Sequence, residues 1–149
     1  MLLNMHERLL KIYIDENIAP HLARAMNIIQ EHLNFEEKKA IEVLSLKDTF
    51  HEGIKDEEWI PLVGKEHGII ITQDRNIQFS KHQRTLYLSH GVGIIFLKSP
   101  KGGMTFWQMF KHLVDWWDDI KQIVRHHKPP FAFRQPGQHQ KFEEWDEDE

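Results

Sequence analysis

Three aspartates, far apart along the chain, each stand where an apolar run stops or starts. Asp15 closes Lys11-Ile-Tyr-Ile14, Asp74 follows Ile69-Ile-Ile-Thr72, and Asp56 opens Asp-Glu-Glu-Trp-Ile-Pro-Leu-Val. Carboxylates brought together repel one another unless a cation neutralises them, and hard divalent ions with oxygen ligands do so. Mg²⁺ or Mn²⁺ held in this way can activate water and stabilise the departing oxygen of a phosphodiester, with paired ions about 3.5 to 4 Å apart. The chain contains no cysteine and no nucleophile-elbow or other Ser-His-Asp signature, so a mechanism without a protein nucleophile fits it.

These acids converge only if the intervening elements bring them to one place. Lys11 to Ile14 reads as a strand, followed by a helix from Ile18 to about Leu33 with Ile18, Leu22, Met26 and Ile29 on its apolar face. Pro20 suits the first turn of that helix, where a missing N–H costs nothing. A second strand spans Ala40 to Leu46. A polar loop through Lys47 to Lys55 leads to a helix from Asp56 to about His67, with Gly68 as its stop. The third strand runs from Ile69 to Thr72, a polar helix lies near Phe79 to His90, and the fourth strand covers Val92 to Leu97. The last helix, about Thr105 to Arg125, carries Trp107, Phe110, Val114, Trp117, Lys121 and Val124 at spacings of three and four, which reads as a core-facing stripe.

Strand and helix alternating in this way predict an α/β domain: a mainly parallel sheet with right-handed crossovers, flanked by helices. Continuous apolar strands indicate a sheet covered on both faces. Ligands of such sheets bind beyond the carboxyl ends of the strands. Asp15 and Asp74 follow strands, and a helix crossing back begins at the edge where the preceding strand ends, so Asp56 belongs to that edge too. Asp56, Ile60 and Val63 share one helical stripe; Glu57 adjoins it, and Glu58 is rotated away. Each acid alone also reads as a helix cap or a polar turn. Their coincidence on one edge favours a site. Asn76 lies beside them, and Arg75, Lys55 and Arg84 are the nearby cations expected to meet a substrate phosphate.

Composition sets the outer bounds. The length of 149 residues is enough for one domain, and 40% hydrophobic with 28% charged residues is an ordinary globular balance. The apolar runs are too short to span a bilayer, so no membrane partner is expected, and the start has no signal-peptide pattern. A chain without cysteine suits a reducing cytoplasm. The last seven residues, Glu-Glu-Trp-Asp-Glu-Asp-Glu, hold six acids; taking those off the net charge of −4 leaves +2 for the remainder. Residues 1–134 are read as the domain and 135–149 as a flexible acidic tail.

The ordered set IYIDEN, KDEEW, IITQDRNI, HQR, GVGIIFL and PPFAFR resembles the PIN-like domains grouped with VapC-type toxins of bacterial toxin-antitoxin modules, over about Lys11 to Arg134. The resemblance implies a PIN-like three-layer fold with a mainly parallel sheet of four to five strands, and a ribonuclease site dependent on Mg²⁺ or Mn²⁺. It also implies an RNA substrate, a protein antitoxin as partner, and a homodimer. Carried over by position, Asp15, Asp56, Glu57 and Asp74 are the metal ligands, and Asn76 stands where related sequences often have a fourth acid, which leaves less charge for a second metal. Two other readings stay open: a PIN-like fold that only binds protein, and a phospho-acceptor receiver domain, for which Lys98-Ser99-Pro100 is suggestive. The 59 positions from Asp15 to Asp74 are longer than a receiver normally needs.

Overall fold

A computed structural model of the chain describes residues 9–15, 17–74 and 76–145. Its elements in order are β1 (Leu10–Ile14), α1 (Pro20–Leu33), β2 (Ile41–Ser45), α2 (Leu46–Thr49), α3 (Asp56–Lys65) and β3 (Ile69–Asp74). They continue with α4 (Ile77–Ser89), β4 (Gly93–Lys98), α5 (Phe106–His126), β5 (Phe131–Arg134) and β6 (Glu143–Glu144). The strands form one six-stranded sheet in the order β2-β1-β3-β4-β5-β6, parallel except for the last. Alternation along the strands divides the core into two. Ile12, Ile14, Ile69, Ile71, Ile95, Leu97, Phe131 and Phe133 face α1 and α5. Tyr13, Ile70, Ile94, Phe96 and Ala132 face α2, α3 and α4. The result is the expected three-layer α/β arrangement. No helix among the described residues is long and apolar enough to cross a membrane.

The sequence predicts crossovers of one hand throughout, and one of the four departs from this. The chain steps from β1 to β2 in one direction with α1 on one face, and steps the other way through α3 and α4 on the opposite face. Those three connections have the same hand. The step from β4 to β5 continues in the second direction, yet α5 lies on the face of α1, so its hand is reversed. Coverage explains the exception. Three helices already occupy one face, and without α5 the side chains of β3, β4 and β5 on the other would be open to water.

The buried side of α5 is Met109, Leu113, Trp117, Ile120 and Val124, a stripe turned by about one residue from the expected one. Trp107 and Val114 are 62% and 46% exposed. Both stripes satisfy helical spacing, and they merge only from Trp117 onward. Lys121 is nevertheless buried, because Glu37 accepts a 2.6 Å hydrogen bond from its Nζ; Arg125 and Gln30 donate to the same carboxylate at 2.7 and 2.8 Å. Burial pushes the Glu37 carboxyl up, but the hydrogen bonds from Lys121, Arg125 and Gln30 outweigh it and hold the group down at about 2.

The β2 edge of the sheet is capped by side chains. At β2 the outward backbone is taken by α1 and the residue after it: Asn27 Oδ1 accepts from Val43 N at 2.8 Å, while Asn34 accepts from Ile41 N at 3.0 Å and donates to Ile41 O at 2.9 Å. At the far side β6 pairs antiparallel with β5. Here the expected flexible tail is corrected for residues 135–145. Gln135 is buried, its amide oxygen accepting from Lys98 N at 3.1 Å and from His112 Nε2 at 2.9 Å. Trp145 is 3% exposed, packs edge-on against Phe96 at 5.1 Å, and has the Arg84 and Arg134 guanidinium groups 4.8 and 5.0 Å from its ring. One aromatic anchor with cation–π partners orders a segment whose composition reads as solvated. Residues 146–149 lie outside the described residues.

The end of α3 departs from expectation in one detail. His67, not Gly68, takes the left-handed conformation (φ 57°), while Gly68 N–H returns to Val63 O at 2.9 Å. Gly68 is needed for space instead: a Cβ there would come within 2.6 Å of Val63 Cγ1.

Candidate functional site

β1 and β3 are adjacent and parallel, with Ile14 opposite Ile71. The ladder continues one residue further, since Asp15 N–H donates to Ile71 O at 3.0 Å. Asp15 is therefore fixed at the carboxyl edge of the sheet, 7% exposed, and its Oδ2 accepts a 2.6 Å hydrogen bond from Thr72 Oγ1. Asp74, the last residue of β3, lies two residues beyond Thr72 and so on the same face. Its Oδ1 accepts from Ser80 Oγ at 2.8 Å, and Ser80 is fully buried on α4. Two carboxylates thus share one edge and one face. Each is held by a hydroxyl from a strand or helix, and the described residues supply no further hydrogen bond to the other oxygen of either one.

The remaining expected members are placed differently. Lys55 occupies the cap position of α3, without a side-chain hydrogen bond to the backbone, and Asp56 is one residue inside the helix. Asp56 accepts from Trp59 Nε1 at 3.0 Å. Asp56, Glu57 and Glu58 are all exposed in the first turn, where negative charge complements the helix dipole. Among the described residues no three acidic or histidine side chains come close enough to hold a metal ion. The expected cage of Asp15, Asp56, Glu57 and Asp74 is therefore not assembled.

Asn76 is the N-cap of α4, its Oδ1 accepting from Phe79 N at 2.9 Å, so the amide oxygen serves the helix. Arg84, expected at a phosphate, is buried beside Trp145. Arg75 lies outside the described residues, and Lys55 is exposed.

Sequence reasoning missed Thr72 and Ser80 as partners of the acids. Thr72 carried a signal: it is the first polar residue after three isoleucines in a fully buried strand, where a hydroxyl must find an acceptor. Ser80 carried none beyond lying on the following helix.

Two clefts flank the acid pair. One, of about 650 Å³, lies beyond β1 and β2 and is walled by Asn17, Phe50 and Trp59 among others. The second, of about 510 Å³, lies beyond β3 and β4 between Asp74, Lys98 and Lys101, where Gly102 and Gly103 both adopt positive φ. Two carboxylates are donors of the kind that Mg²⁺ commonly takes from a protein, one or two at a time, completing its shell with water and substrate phosphate.

Comparison with known families matches residues 10–99 to a family described as a PIN like domain. The chain belongs to the PIN-like domain family. PIN-like domains form a superfamily of nucleases. The matched span runs from β1 through β4, so it contains Asp15, Asp56 and Asp74, while α5, β5 and β6 lie beyond it. No curated protein and no solved structure matches the chain. Membership in the PIN-like family leaves the phospho-acceptor reading without support.

Proposed function

We propose that this PIN-like domain is an endoribonuclease dependent on Mg²⁺ or Mn²⁺, with Asp15 and Asp74 as the metal-holding residues. The observation that carries the reading is the pair itself: two carboxylates at the carboxyl edge of adjacent parallel strands, each pinned by a hydroxyl, in a chain of a nuclease family. A bound divalent cation supplies the Lewis acidity that phosphodiester hydrolysis needs. Thr72 and Ser80 fix the orientation of the acids before substrate arrives. Lys98 and Lys101 border the cleft that contains Asp74 and are placed to meet the phosphates that follow. Asp56 and Glu57 add negative charge at the start of α3 and are assigned to attraction of the cation and not to its inner shell.

A toxin role with a protein antitoxin is the finer form of this proposal, supported by the resemblance over Lys11 to Arg134; a small DNA-binding protein encoded beside it is the expected partner. A second reading, a PIN-like module that binds without cutting, is favoured by the absence of a three-acid cluster among the described residues. Incubation of single-stranded RNA with the protein and Mn²⁺ separates the two. The nuclease reading expects products with 5′-phosphate and 3′-hydroxyl ends, lost with EDTA and reduced at least a hundredfold in Asp15→Asn and Asp74→Asn. Undiminished cleavage by both variants, or no cleavage by the wild type at any metal concentration, refutes it.

A further inference from the structure

The larger cleft has the chemistry of a nucleobase site. It opens beyond the ends of β1 and β2, and its wall includes Asn17, two residues after Asp15, and Trp59, whose indole N–H holds Asp56. It therefore adjoins the acidic edge. Phe50 is half-buried and lines the cleft, with Tyr13 stacked at 6.4 Å and Trp59 tilted at 6.1 Å, so its ring is fixed from behind. A flat aromatic surface held in place is what a base stacks on, and any base can use it. Around it the rim carries Lys47, His51 and Glu52. Lys47 and His51 are exposed, and Lys47 forms no salt bridge among the described residues, so its charge is not consumed by the fold. The Asn17 amide and the Glu52 carboxylate offer the donors and acceptors that read base edges. A volume of about 650 Å³ is within the range of ligand-binding clefts.

We propose that this cleft is the base subsite of the nuclease: an unpaired base of single-stranded RNA stacks on Phe50, Lys47 holds its phosphate, and the adjoining phosphodiester passes to Asp15 and Asp74. The assignment rests on the nuclease reading above and adds a base-binding subsite to it. A base paired in a duplex must first be unpaired and unstacked to enter the cleft, at a cost that an unpaired base does not bear, so the protein favours single strands. Glu52 on the same rim repels dense phosphate and favours the amino edge of a base over a second phosphate.

The test is fluorescence anisotropy of a labelled short oligouridine and of a blunt RNA duplex, with EDTA present so that binding is read without cleavage. The wild type is expected to bind the single strand more tightly than the duplex. Lys47→Glu, an exposed change, and Phe50→Leu are each expected to weaken single-strand binding about tenfold, the size of one lost stacking or phosphate contact. Addition of uridine monophosphate should shift the Trp59 indole N–H resonance in the wild type and less in Phe50→Leu, which keeps the test valid if that variant is less stable. Wild-type affinity in both variants, equal binding of duplex, or no binding by the wild type overturns the subsite. Cleavage with an unchanged KM in both variants also overturns it while the nuclease reading stands. Binding lost in the variants, with no cleavage by the wild type in Mn²⁺, supports the subsite and refutes the nuclease reading.

Discussion

Glu37 is the position where a single substitution should be most readable, because its carboxylate joins three donors on two elements. Lys121 Nζ, Arg125 Nη2 and Gln30 Nε2 all reach it, and Lys121 is 4% exposed. The carboxyl is held at about 2 against an ordinary value of 4.5. At about 1.4 kcal/mol per unit that gap corresponds to roughly 3 kcal/mol, and screening at a carboxylate 21% exposed reduces it to about 2 kcal/mol. The folded-state value lies below the unfolded one, so this stabilisation is complete above about pH 4.5 and is lost as the pH falls through 2. Glu37→Gln removes the titrating group and leaves Lys121 with only exposed Asp118 at 3.9 Å. A buried lysine without its partner costs about 3 kcal/mol at neutral pH. Urea unfolding followed by tryptophan fluorescence at pH 7, 5 and 3 measures both effects. The wild type should lose stability between pH 5 and 3 in excess of Glu37→Gln, and the variant should start lower. Parallel pH profiles for the two proteins, or a neutral-pH loss under about 1 kcal/mol, would refute the assignment of this network.

Three other outcomes follow from the same structure. Thr72→Val removes the donor to Asp15 Oδ2 while keeping the strand, and should reduce metal affinity 10- to 100-fold by titration calorimetry with little change in melting temperature. His67→Gly relieves a φ of 57° at an exposed position and should raise stability by about 1 kcal/mol in chemical denaturation. Trp145→Ala should lower stability by about 3 kcal/mol and make the segment after Arg134 a protease target, read by limited proteolysis; an unchanged digestion pattern would mean that Trp145 does not anchor it.

The layers, the parallel sheet and the edge carrying Asp15 and Asp74 were legible because they depend on local signals: apolar runs bounded by acids, and helical spacing between them. What failed depended on tertiary choices. The stripe on α5 was ambiguous because two registers of apolar residues fit one helix, and only packing against α1 and the sheet selects one. β5 was hidden in a Pro-rich stretch, although Phe131-Ala-Phe133 has strand alternation, and β6 is too short to signal itself. Trp145 looked like part of a charge run because its partners, Arg84 and Arg134, come from elsewhere in the chain. The same distance effect hid the burial of Arg84 beside Trp145. Asn76 and Asp56 show the limit of position alone: being at the right edge does not say whether a side chain turns to the cleft, to its own helix, or to a neighbouring indole.

The asparagines along β2 bear on how this protein meets other chains. An open sheet edge is a template on which a second copy, a peptide or a growing fibril can continue the ladder. Asn27 and Asn34 already occupy the outward groups of Val43 and Ile41, so a strand approaching this part of β2 finds those backbone groups taken. A partner that approaches from the β2 side is then expected to recognise side chains, and its sequence would show helical periodicity or a plug of polar residues in place of an alternating strand. Asn27→Leu and Asn34→Leu are therefore expected to open that edge, an outcome read as a rise in molecular mass over the wild type by light scattering.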